Sequence, residues 1–228
     1  MREIVFDTET TGLDPLKGDR IVEIGCVEIY NTIPTGQTFH VYLDPERDMP
    51  EEAFRVHGLS SEFLTGKPLF STIVDDFLSF IGDANLVAHN AEFDMRFINA
   101  ELARVGRSRI PQERIVDTLI LARRKHPGAS NSLDALCARY GVDTSRRTKH
   151  GALLDSELLA EVYAELMGGR QAALVLTESI VTAAEAIVRE IGQRAAPLAP
   201  ALTADEAQAH QAFVARLGEK AIWLKYQS

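Results

Sequence analysis

Hydrophobic and polar positions divide the chain into short apolar strands, then longer amphipathic stretches, then a weakly patterned end. The lead-in Ile4-Val5-Phe6 is uniformly apolar and predicts a largely buried strand, which Gly12 and Asp14-Pro15 bring to a turn. A second strand is predicted over 20–30 and a third over 38–43, joined by a turn at Pro34-Thr35-Gly36, so that the first three strands form an antiparallel meander. Short helical turns over 51–56 and 61–64 flank a loop at His57-Gly58-Leu59. A longer helix over 69–81 follows, with Phe70, Ile73, Val74, Phe77, Leu78 and Ile81 on one face.

From residue 86 the period alternates. Leu86-Val87-Ala88-His89 predicts a short buried strand, and Asn90 is placed to cap a helix running to about Val105. Ile115-Val116 is a further short strand, with helices predicted over 118–124, 132–140 and 151–167. A meander followed by strands alternating with helices gives an α/β fold, a mixed sheet covered by helices. Organisation changes at Gly168-Gly169, which sets the expected domains at 1–168 and 169–228. The second part is a tail with helices over 178–191 and 204–217, a Pro-containing linker over 193–200 and the single tryptophan, Trp223. It is too thin for a large core of its own and is expected to dock on something.

Composition changes this picture little. Hydrophobic residues at 46% and charged residues at 25% are ordinary for a globular protein. Neither a signal peptide nor an apolar run of membrane-spanning length is apparent, so a cytoplasmic protein with no membrane partner is expected. Cys26 and Cys137 lack metal-ligand spacing and read as small core residues. The net charge of -9 argues against a nucleic-acid partner, but its distribution qualifies that. Between Arg104 and Lys149 eleven basic residues face four acids, a local net of +7, which leaves -16 for the remainder. Such a middle suits either phosphate contact or solvated helix faces.

The candidate chemistry begins at the tip of the first strand. Asp7 and Glu9 are two apart, so in a strand both side chains point to one face, and like charges held together favour a cation. Asp94 lies one turn into the helix that Asn90 opens, near its positive end. His150 and Asp155, five apart, would stand about 140° apart on a helix, so both meet one centre only if the histidine precedes the helix; Gly151 permits that.

Asp7-Thr8-Glu9, Asn90-x-x-Phe93-Asp94 and His150-x-x-x-x-Asp155, in that order, resemble the three motifs of the DEDDh family of 3′-to-5′ exonucleases over residues 1 to about 168. The run from Gly128 to Cys137 is similar to a segment of the proofreading subunits of bacterial replicative DNA polymerases. The resemblance implies a ribonuclease H-like fold with a mixed five-stranded sheet and a helical, partly extended C-terminal tail. It implies two Mg²⁺ or Mn²⁺ ions, with Asp7 bridging both, Glu9 and Asp155 on the ion that carries the attacking water, and Asp94 supporting the other. His150 is the implied general base, its ordinary pKa of about 6.5 suiting proton removal near neutrality.

Thr8, Thr10, His57 and Leu59 are the implied contacts to the terminal nucleotide of a DNA 3′ end, although His57 fits equally well as a structural loop residue. His89 reads as structural. In the tail, Gln171-x-x-Leu174-x-Leu176 resembles the peptide by which replication proteins bind the sliding clamp, and a plain helix extension explains it equally. The end around Trp223 resembles a polymerase-binding segment, with Trp223 as apolar anchor. The implied function is a proofreading 3′-to-5′ exonuclease subunit releasing nucleoside 5′-monophosphates. A stand-alone exoribonuclease and a catalytically idle structural subunit are the alternatives, disfavoured by the tail and by the intact motifs respectively.

Overall fold

The computed structural model describes residues 1–145, 147, 149–169, 202–218 and 222. The chain divides into two compact units, Met1–Val175 and Leu176–Ser228. In the first, five strands form one sheet in the order β3-β2-β1-β4-β5. β1 (Arg2–Thr10), β2 (Ile21–Tyr30) and β3 (Ile33–Tyr42) make the expected antiparallel meander, while β4 (Asn85–Ala88) and β5 (Ile115–Asp117) run parallel to β1. β1 is thus the central strand, and the mixed α/β architecture is as the apolar pattern predicts.

Helices cover both faces because β1 is apolar on both. Ile4 and Phe6 point into a core with Phe70, Val74 and Phe77 of α3 (Phe70–Ile81) and Phe97, Ile98 and Leu102 of α4 (Ala91–Arg104). Val5 points the other way, against Leu159, Ala160 and Tyr163 of α7 (Ala152–Leu166). Behind α7, Leu158 and Val162 pack on α5 (Thr118–Lys125) and α6 (Leu133–Tyr140) through Ala122, Leu136 and Cys137. Both cysteines are buried and free. α1 (Glu51–His57) and α2 (Ser61–Leu64) complete this unit.

Two local expectations are corrected. The β2–β3 turn is made by Asn31 and Thr32, with φ of 50° and 66°, and not by Pro34-Thr35-Gly36, which lies inside β3. Two consecutive positive φ values give the turn whose twist matches a two-residue hairpin. Pro34 is tolerated because β3 is the sheet's edge and the ladder shifts register opposite it, between Val27 and Ile29. Asn90 stands at the N-cap position of α4, as expected, but its side chain makes no capping bond; it adopts a left-handed conformation (φ 67°, ψ 48°) and its N–H donates to Asp117 Oδ1 at 3.2 Å. Asp117 also accepts from Leu119 N–H at 2.8 Å, so one carboxylate caps α5 and ties the ends of β4 and β5.

The basic middle of the chain is largely committed to the protein itself. Arg104 pairs with Glu101, Arg107 with Asp75, and Arg114, Lys125 and Arg139 donate to backbone carbonyls. In the second unit the described element is α8 (Ala204–Arg216), opened by a reciprocal capping box between Thr203 and Glu206. The expected helix over 178–191 and linker over 193–200 lie outside the described residues. Among the described residues no helix is long and apolar enough to cross a membrane.

Candidate active site

The site lies at the C-terminal end of β1, where strand alternation sorts the carboxylates from their neighbours. Asp7 and Glu9 follow Val5 on the face that α7 covers. Thr8 turns toward α4, where its N–H and Oγ1–H both donate to Asp94 Oδ1, at 3.1 and 2.7 Å. Asp155 comes from the first turn of α7, which settles on β2 at Gly25. A Cβ on Gly25 would collide with the backbone of Ala152 and Leu153, and Ser156 Oγ lies 2.9 Å from the Gly25 carbonyl oxygen. Gly25 is also the residue paired with Asp7 across the ladder. The four carboxylates therefore converge through three separate contacts with the β1–β2 pair.

Their electrostatics are those of a site short of positive charge. Burial, followed by repulsion from Asp94, Glu9 and Asp155, holds the Asp7 carboxyl well above the usual carboxylate range. Burial, then Glu23 directly across the ladder, pushes Glu9 up to about 8. Asp94 is pushed up to about 7 by burial, which outweighs the two hydrogen bonds from Thr8. Buried carboxylates repelling one another are stabilised in their charged form by cations.

His150 precedes α7, as the five-residue spacing requires, and its Nδ1 lies 3.1 Å from Asp155 Oδ2. Gly151 between them is extended (φ -160°) with open space where a Cβ would be, so the glycine is not what permits this placement. One ligand atom each of Glu9, His150 and Asp155 lies within 4.8 Å of the others. Asp155 Oδ1 is buried and its one charged neighbour is the Arg147 Nε, 2.6 Å away. Four buried or half-buried carboxylates brought together are a donor set for a hard divalent cation, and residues 7, 9, 94 and 155 fit one.

Two cavities meet at this point. One of about 220 Å³ is lined by Asp7, Glu9, Asp94, His150 and Asp155 together with Arg147. The other, of about 350 Å³, is lined by Thr8, Thr10, Val56, His57 and Phe93, with Thr8, Glu9 and Phe93 common to both. His57 is buried, its Nδ1 accepts the Leu59 N–H at 3.0 Å, and burial lowers its pKa. Its Nε2 lies near the Thr10 carbonyl without a well-formed hydrogen bond. Leu59 does not line this cavity; its backbone fixes the His57 ring instead. His89 is structural, held between Thr118 Oγ1 and the Asn131 carbonyl, each at 2.9 Å.

Arg147 and Gly25 are the site residues that the motifs do not contain, and neither carries a local signal. Phe93 belongs to the Asn90-x-x-Phe93-Asp94 motif, and the structure adds its place between the two cavities. Gln171, Leu174, Leu176 and Trp223 lie outside the described residues.

This geometry has known counterparts. The family described as Exonuclease (RNase_T) matches residues 4–163. The DNA polymerase III subunit epsilon of Rickettsia conorii is 49% identical over 222 residues, covering 95% of this chain and 96% of the relative. That of Escherichia coli K12 is 43% identical over 236 residues, covering 97% of each. Among solved structures, exonuclease X in complex with 5′ overhanging duplex DNA superposes with a TM-score of 0.58 at 26% identity, covering 72% of this chain and 90% of that one. The nuclease domain of 3′hExo, a DEDDh family member bound to rAMP, shares the fold with a TM-score of 0.62 at 18% identity, covering 73% and 91%.

Proposed function

We infer the working of the site from one premise: this chain belongs to the exonuclease family and, within it, to the DNA polymerase III epsilon subunits. It is a metal-dependent proofreading 3′-to-5′ exonuclease that acts on DNA in association with DNA polymerase III. The observation that carries the residue assignment is the convergence of Asp7, Glu9, Asp94, Asp155 and His150 on one end of β1. Asp7, Glu9, Asp94 and Asp155 would hold the metal, two Mg²⁺ or Mn²⁺ ions on this reading, with Asp7 placed centrally among the four. When bound, such a pair makes water nucleophilic at neutral pH and neutralises charge on the leaving oxygen.

The protein's own groups do the rest. The 3′-terminal nucleotide enters the cavity beside Thr8, Thr10, His57 and Phe93, which sets its phosphodiester over the carboxylates. His150, half exposed on its loop, takes the proton from the attacking water. Thr8 holds Asp94 from beneath, and α7 holds Asp155 at the correct height above β1. A mismatched terminus frays at lower cost than a matched one, so backbone contact and stacking select it without reading base edges.

The tail tethers this nuclease to the polymerase, with Trp223 as anchor, while Gln171, Leu174 and Leu176 engage the sliding clamp. Tethering raises effective concentration, so weak intrinsic DNA affinity suffices despite the net charge of -9. On this reading the protein works in the cytoplasm. Incubation with Mg²⁺ and labelled single-stranded, matched and 3′-mismatched DNA tests the assignment, alongside Asp7→Ala. Equal shortening by the variant would remove Asp7 from the role. Full-length Trp223→Ala should keep nuclease activity and lose co-purification with the polymerase catalytic subunit; retained co-purification refutes the anchor.

A further inference from the structure

Among the described residues that line the site, the one arginine, Arg147, is a residue that the proposed reaction does not use. Arg147, whose side chain is 9% exposed, reaches Asp155 with two nitrogens, Nε 2.6 Å from Oδ1 and a terminal nitrogen 2.7 Å from Oδ2. That terminal nitrogen is also 2.7 Å from His150 Nδ1. On its outer side the guanidinium pairs with Asp134, whose side chain is 67% exposed.

A guanidinium keeps its proton throughout the working pH range, so Arg147 does not leave Asp155 by titration. It leaves only by displacement. A hard divalent cation on an Asp155 oxygen sits at about 2.0 to 2.6 Å from it, inside the distance the guanidinium nitrogens now occupy. Two cations cannot share that edge of the carboxylate at full strength. Glu9 and His150, the other groups whose ligand atoms gather with Asp155, stand on the same side.

We propose that Arg147 is a built-in surrogate cation: it neutralises Asp155 and holds His150 in register before metal binds, then withdraws toward Asp134 as the metal takes the carboxylate. Arg147 is thus a positioning residue that sets metal affinity and couples metal loading to the release of His150 Nδ1. The inference rests on the metal-ligand reading of Glu9 and Asp155 given above. It adds that the metal competes with a group of the protein itself.

The test is Mn²⁺ titration of the full chain without DNA, by calorimetry and by the metal-induced shift in melting temperature, for wild type, Arg147→Gln and Arg147→Lys. Arg147→Gln should bind Mn²⁺ about tenfold more tightly, a difference of about 1.4 kcal/mol, while melting at a lower temperature than wild type in the absence of metal. Arg147→Lys, with a compact charge that cannot bridge both oxygens and the imidazole, should fall between them. A merely structural arginine would weaken both properties together. Equal or weaker Mn²⁺ binding by a folded Arg147→Gln overturns the proposal. If that variant does not fold without metal, Arg147→Lys decides: a weaker hold on Asp155 should tighten Mn²⁺ binding relative to wild type, and equal or weaker binding overturns the proposal. Absence of Mn²⁺ binding by wild type overturns the metal reading as well, so the two failures are distinct.

Discussion

Gly25 stands directly opposite Asp7 in the β1–β2 ladder, and the first turn of α7 rests on it. The pairing couples the strand that carries Asp7 and Glu9 to the helix that carries Asp155. Gly25→Ala puts a methyl group into the backbone of Ala152 and Leu153, so α7 must lift. The expected cost is about 3 kcal/mol of stability by chemical denaturation. Activity should fall by roughly 100-fold or more, because about 1 Å of displacement misplaces Asp155. Near wild-type activity in the folded variant would show that Asp155 is not height-sensitive.

Asp7→Asn separates function from folding. Removing a buried charge that Asp94, Glu9 and Asp155 all repel should raise the metal-free melting temperature at pH 8, while exonuclease activity falls well beyond the ~100-fold typical of outer-shell metal-site changes. A variant that melts lower than wild type without metal would contradict the repulsion seen around this carboxyl.

Stability of the metal-free protein should depend on pH in an unusual direction. Glu9 titrates at about 8 and Asp94 at about 7 in the fold, above their ordinary values of 4.5 and 3.8, so the folded state binds more protons than the unfolded one between those limits. Their contribution is therefore fully present below the unfolded values and is lost as pH rises through 7 and 8. Melting temperature without metal should fall from pH 6 to pH 8.5, and Mn²⁺ should reverse the fall. Glu23→Gln removes the second-largest cause of the Glu9 shift and should move the upper end of the window down; ¹³C carboxyl titration reads this directly.

Two hydrogen bonds from Thr8 favour the charged form of Asp94, against the larger opposing effect of burial. Thr8→Val keeps the shape and loses the hydroxyl, so Asp94 should titrate higher still and the pH–rate profile should shift upward. Loss of a charge-assisted bond of about 1.5–3 kcal/mol corresponds to roughly a 10- to 150-fold fall in rate at pH 7, with Thr8→Ser restoring it. An unshifted profile would place Asp94 outside the ionisation that limits the rate.

The parts of the fold that the sequence discloses are those governed by period. Val5 against Phe6, and Asp7 against Thr8, follow from strand alternation, and α3 from its apolar face. The β2–β3 turn was not legible because Pro34 and Gly36 give the stronger turn signal, whereas the sheet twist selects Asn31 and Thr32. Asn90 does occupy the N-cap position, but its left-handed backbone, not the extended one of a side-chain cap, depends on tertiary context that its residue type does not reveal. Within the site, carboxylates are visible through spacing; Gly25 and Arg147 are not. Their roles depend on which segment approaches from 130 residues away or which neighbour shares a loop, and no local pattern encodes that.

The cavity bounded by Thr8, Thr10, Val56, His57 and Phe93 is small, about 350 Å³, near the lower end for ligand sites. It opens onto the carboxylates through residues that both spaces share. If the terminal nucleotide occupies this cavity, as proposed, a chamber of that size acts as a ruler that admits one unit of the polymer before the backbone lies over Asp7. The increment of degradation would then be set by architecture: widening the chamber at Val56 should lengthen the product, whereas changes in metal or pH should alter only the pace.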